Sequence, residues 1–161
     1  MLLHEVFRPE LIKIGLEAGD KDEVFEELVD QFCQAGNSDA SGNAREEILE
    51  ALWERESKMS TGIKNGVAIP HAKTTALGQI HGVLGISQKG MDYNALDGKP
   101  VHLLFMLLAP LSDSEMYLRL LKCIVVLLDN RQFYTDLMIQ KDGQGANTVI
   151  RKYEELYLAA D

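Results

Sequence analysis

The sequence has 161 residues, 46% hydrophobic and 25% charged, a globular composition long enough to bury roughly 68–70% of the surface its unfolded chain exposes. Its formal net charge of −9 opposes phosphate backbones and anionic bilayers, which excludes nucleic acid and membrane surfaces as partners and favours a protein with a basic face. No apolar run is long enough for membrane insertion, and the start, MLLHEVFRPE, lacks a basic stretch and a cleavage site, so the expected location is cytoplasmic.

In chain order, a strand is predicted over Ile12 to Leu16. Asp20 and Glu23 have capping-box spacing, and Val24, Phe25, Leu28, Val29, Phe32 and Cys33 follow at helical intervals until Gly36 stops the pattern. A turn-rich segment, Asn37 to Asn43, leads to a second helix from about Ala44 to Arg55, with Ile48, Leu49, Leu52 and Trp53 on its apolar side. Three pieces rich in β-formers come next, Gly66 to Ile69, Ile80 to Ser87 and Val101 to Leu108, with a turn at Asp97-Gly98. Ser112 and Glu115 make a second capping-box pattern, opening a helix whose Met116, Leu120, Leu121, Ile124, Leu127 and Leu128 imply deep burial. Two shorter helices are predicted near Arg131 to Gln140 and Ala146 to Leu158, broken by KDGQG. Strands flanked by helices in one compact length predict a single α/β domain over residues 1–161. Its expected form is a three-layer sandwich, a mixed β-sheet with helices on both faces.

Cys33 and Cys123 sit in apolar helical patterns outside any CxxC or zinc spacing, so both are expected to be reduced core residues and no metal site is expected. His4 falls in an end expected to be mobile, and His81 and His102 in apolar strand patterns that suit hydrogen-bonded structural histidines. His71 is different. It follows Pro70 at the end of STGIKNGVAIPHAK, Ser60 to Lys73. A neutral imidazole offers one ring nitrogen for attack while the other donates a hydrogen bond, so it can accept a phosphoryl group. The three oxygens of that group need donors already in place. Gly62 and Gly66, with Ser60, Thr61 and Asn65, have the chemistry for an anion-binding concavity of backbone N–H groups, and Pro70 stiffens the chain ahead of the ring.

Residues 50–73, EALWERESKMSTGIKNGVAIPHAK, closely resemble the active-site segment of IIA components of the bacterial phosphotransferase system, in the fructose/mannitol and nitrogen-regulatory branch. Arg55-Glu56, Ser60-Thr61-Gly62-Ile63, Asn65-Gly66 and Ala68-Ile69-Pro70-His71 match its pattern in order, and KPVHLLFMLLAP, Lys99 to Pro110, is similar to its central strand. The resemblance implies a phosphocarrier without metal or organic cofactor. His71 would take a phosphoryl group on Nε2 from an HPr-like phosphocarrier protein or its nitrogen-branch counterpart, beside Arg55. It would pass the group to a cysteine of a IIB domain, expected on a separate chain because these residues include no IIB part. Two positions depart from the family. Tyr117 stands where a second histidine is usual, and Lys64 replaces a glycine. Thr61, Gly62, Lys64, Asn65, Gly66 and Tyr117 are therefore the expected phosphoryl-binding group, with Lys64 supplying the charge that Tyr117 lacks. The alternative reading is a regulatory binding module that docks to other target proteins without transferring phosphate. Hydrolysis through a histidine nucleophile is weaker, because no second acid or base stands near His71 in sequence.

Overall fold

The computed structural model describes residues 1–36, 38–40 and 42–160. Five strands make one sheet: β1 (Ile12–Ile14), β2 (Val67–Ala68), β3 (His71–Lys73), β4 (His81–Met91) and β5 (Val101–Ala109). Their order is β1-β4-β5-β2, and β3 also pairs with β5. β4 and β5 are antiparallel, β1 is parallel to β4, and β2 and β3 are parallel to β5, so the sheet is mixed as the element order predicts.

Alternation along β5 explains the layering. Successive strand residues face opposite sides. Leu103, Phe105 and Leu107 enter one core, while Leu104, Met106 and Leu108 enter the other. A strand apolar on both faces must be covered on both. On one side lie α2 (Lys21–Gln34) and α3 (Ala44–Glu56). The other side carries the short α1 (Leu3–Val6) with α4 (Ser114–Leu128), α5 (Arg131–Met138) and α6 (Gly143–Ala159). The fold is the three-layer α/β sandwich that the sequence predicts. Among the described residues, no helix is long and apolar enough to cross a membrane.

Local expectations fare unevenly. The Asp20 cap is present, its Oδ1 accepting from Glu23 N at 2.9 Å, while the Glu23 carboxylate reaches Gly19 N at 3.1 Å. The Ser112 cap is not. α4 starts at Ser114, one residue later than that cap implies, because Asp113 takes a left-handed conformation that a right-handed helix cannot include, and it makes no side-chain cap bond. α6 starts at Gly143, inside the predicted break, because Asp142 caps it by accepting from Gly145 N at 2.8 Å. Asn37 and Ser41 of the predicted loop lie outside the described residues, and Ser38–Ala40 between them form a 3-10 turn. His4 does not hang free: its Nδ1 lies 3.1 Å from Glu154 Oε1. Cys33 and Cys123 are unbridged but only half-buried, at the margins of the two cores. A helix position beside the stripe, unlike one within it, keeps an edge in water.

Candidate functional site

The site rests on a small hairpin. Ile63 N donates to the Val67 carbonyl and Ile69 N to the Thr61 carbonyl, both at 3.0 Å, and Val67 N closes the turn onto the Lys64 carbonyl at 3.3 Å. The two central residues, Asn65 and Gly66, have φ of 57° and 82°. Positive φ at both positions marks the turn for which Asn-Gly is the favoured pair. The edge strand then passes Pro70, which has no N–H to give a ladder, and is split into β2 and β3. Both pieces keep register with β5: Val67 opposite Leu103, and His71 opposite Leu107.

His71 is half-buried on β3. Its Nδ1 lies 2.7 Å from the Ile69 carbonyl. A carbonyl only accepts, so the ring proton sits on Nδ1 and Nε2 carries the lone pair. Arg55 meets that lone pair, its Nε donating to Nε2 at 3.2 Å, while Nη1 donates to the Met59 carbonyl at 2.9 Å. Burial, the largest cause, pulls the His71 pKa below the ordinary histidine range. The Ile69 hydrogen bond raises it, Arg55's charge lowers it further, and Glu56's charge raises it. The net result is a neutral imidazole at neutral pH with Nε2 free of a proton.

Helical geometry separates Arg55 from its neighbour. Ala44, Ile48, Leu52 and Glu56 are buried at every fourth position of α3, so Glu56 faces the core and Arg55, about 100° away around the helix, faces β3. Glu56 accepts from Thr61 N at 2.8 Å and Thr61 Oγ1 at 2.7 Å, and pairs with Lys21 Nζ at 2.9 Å. The Tyr93 hydroxyl lies 2.7 Å from Thr61 Oγ1. Thr61 is buried with both its donors engaged, and it anchors the hairpin from behind. Gly62 packs there too. A Cβ on it would come within 2.8 Å of Tyr93 and Ala95, so the chain needs glycine for close approach and not, as the sequence suggests, for positive φ.

A cleft of about 330 Å³ opens in front of His71, bounded by Glu54, Arg55, Lys58, Lys73 and Tyr117. The Tyr117 ring lies 6.1 Å from the imidazole, tilted by 56°. Burial pushes its hydroxyl pKa up, against a smaller opposite pull from Arg55, so it stays a neutral donor. Lys73 Nζ sits 5.0 Å from the centre of the Tyr117 ring and donates to Ser114 Oγ at 2.5 Å. Sequence reading missed Lys73, although the strand period of two places residues 71 and 73 on one face.

The structure thus brings His71, Arg55 and Tyr117 together and leaves Lys64, Asn65 and Gly66 elsewhere. Five steps of extended chain separate Gly66 from His71, about 16 Å at the strand rise. The tip lines two other clefts beside Arg131. Backbone N–H groups of Asn65 and Gly66 form no concavity around the histidine, because the type of turn they make is the end of a hairpin.

Residues 5–153 match the family described as phosphoenolpyruvate-dependent sugar phosphotransferase system, EIIA 2. The fructose-specific EIIABC component of Bacillus subtilis strain 168 is 32% identical over 155 residues, 96% of this chain and 24% of that protein, so the chain spans about a quarter of that relative. The fructose-specific EIIA component of Haloferax volcanii is 33% identical over 146 residues, 91% of this chain and 92% of that protein. Among solved structures, the nitrogen regulatory protein IIA-Ntr from Neisseria meningitidis superposes with a TM-score of 0.83 at 26% identity, over 92% of this chain and 98% of that one.

Proposed function

The chain belongs to the EIIA 2 family of the phosphoenolpyruvate-dependent sugar phosphotransferase system, and on that premise we propose that it is a cytoplasmic phosphocarrier using His71. The donor is a phosphohistidine on an HPr-like protein. The acceptor is a cysteine of a IIB domain, or else the phosphorylated state itself serves as a regulatory signal. The single observation that carries this reading is the pair of hydrogen bonds on one imidazole, Nδ1 to the Ile69 carbonyl and Arg55 to Nε2.

The Nε2 lone pair attacks phosphorus, the donor's N–P bond breaks, and its electron pair returns to the donor nitrogen. The positive character gained by the His71 ring is stabilised at Nδ1–H by the Ile69 carbonyl. Arg55 moves its N–H groups from the nitrogen to the phosphoryl oxygens, where a guanidinium binds most strongly. Lys73 and the Tyr117 hydroxyl supply further donors, and loose phosphoryl-transfer transition states depend on such positioning and charge.

The test is intact-mass analysis after incubation with phosphoenolpyruvate, enzyme I and HPr. One added phosphoryl group is expected, absent in His71→Ala, with phosphorus NMR reporting attachment at Nε2. Label that persists in His71→Ala, or sits on Nδ1, defeats the reading. A regulator that docks without transferring is the second reading. It is favoured by Tyr117, an uncharged ring beside His71. In that case stopped-flow mixing with phospho-HPr shows a slow parent that Tyr117→His accelerates.

A further inference from the structure

We propose that the cleft at the hairpin tip, at the opposite end of the edge strand from His71, binds the phosphate group of a small phosphate monoester. The cleft holds about 470 Å³, within the range of sites for small metabolites. Arg131 and Lys99 stand on its walls, with Gly66 and Tyr134 between them.

Arg131 is held ready for a ligand. Its guanidinium lies 4.0 Å over the Tyr134 ring and donates Nη1 to the Asn65 carbonyl at 3.2 Å. A stacked, tethered guanidinium loses little freedom on binding and still has N–H groups to give. Among the described residues, neither Arg131 nor Lys99 has a carboxylate within ion-pair distance. Of the two acids nearby, Asp129 lines the neighbouring cleft beside Arg131, and Asp97 is occupied otherwise: its Oδ2 accepts from Asn65 N at 3.1 Å and its Oδ1 from Lys99 N at 3.0 Å. It shapes the backbone that presents the cations, in a chain whose net charge is −9.

Gly66 keeps the floor open. A Cβ there would stand 3.0 Å from the Tyr134 hydroxyl and 3.5 Å from His102. A planar fork, an ammonium and a phenol line the one cleft, a donor set that suits a tetrahedral anion with several oxygens.

Titration of the ¹⁵N-labelled chain with inorganic phosphate, against sodium chloride at matched ionic strength, tests this directly. Saturating shifts are expected at the amides of Asn65, Gly66 and Lys99 and at Arg131 Nε. They should persist in His71→Ala and weaken roughly tenfold in Arg131→Gln or Lys99→Gln, the loss expected for one charge-assisted contact. Amide dispersion reports whether each variant is folded, and either one suffices. Shifts confined to the His71 cleft, shifts reproduced by chloride, or affinity unchanged in the folded variants would overturn the proposal.

Discussion

Half-burial of one imidazole determines the pH range in which the proposed acceptor is neutral. Because burial disfavours the cation, the folded pKa of His71 lies below its ordinary value. His71 is therefore half-protonated only below the ordinary histidine value near 6.5. Initial phosphorylation rates should fall to half their plateau only at a pH below 6.5; a rate already halved at pH 6.5 contradicts the assignment. In Arg55→Gln one cause of the depression is removed, so an NMR titration should show the His71 pKa move upward while burial keeps it from rising freely. Transfer should slow by roughly tenfold to a hundredfold, as expected when a charge-assisted hydrogen bond of about 1.5–3 kcal/mol is made fully in the transition state. Lys73→Gln should slow it in the same direction. Lys64→Gly should not, because the tip stands farther from His71 than the roughly 8 Å Debye length at physiological salt. The departure from the family motif suggests Lys64 as the compensating charge, and the strand period offers Lys73 instead.

At the scale of elements, the hairpin of residues 61–69 is held from behind by Glu56 and ends in a turn that only special residues make. Glu56→Ala leaves Lys21 and the Thr61 donors without their buried partner, and urea unfolding should show a loss of about 3–5 kcal/mol. Gly66→Ala forces a Cβ into a left-handed conformation at φ 82°, at a cost of about 1–2 kcal/mol. Gly62→Ala drives a Cβ against Tyr93 and Ala95 and belongs with overpacked cores, which lose typically 1–3 kcal/mol. Both glycine variants should lower stability, and neither should alter the transfer rate of the protein that remains folded. A rate loss in fully folded Gly66→Ala would restore the anion-binding loop that the sequence suggests. The sequence suggests an anion-binding concavity at Asn65-Gly66, and only the strand that returns beside the pair makes it a hairpin turn.

Across the whole molecule, the first turn is tied to the last helix. Glu154, buried in α6, accepts from Leu3 N at 2.6 Å and His4 N at 3.3 Å, and the Asn147 side-chain amide donates to the carbonyls of His4 and Phe7 at 2.9 Å each. Glu154→Ala orphans buried donors, which costs about 1–3 kcal/mol, and hydrogen exchange at Leu3 and His4 should accelerate well before the sheet amides respond. The sequence by itself determined the kind and order of the main elements, because periods of 3.6 and 2 are written in consecutive residues, and it marked His71 through a contiguous motif. Short elements such as α1 and β3 escaped, being too brief to carry a period. Only the tertiary structure decided that Arg55 meets Nε2, that Lys73 and Tyr117 share the cleft, that Asn65 and Gly66 face Arg131, and that Glu154 holds the first turn. These contacts join residues from 16 to 151 positions apart, and such pairs are brought together by strand order and layer packing, which no local pattern encodes.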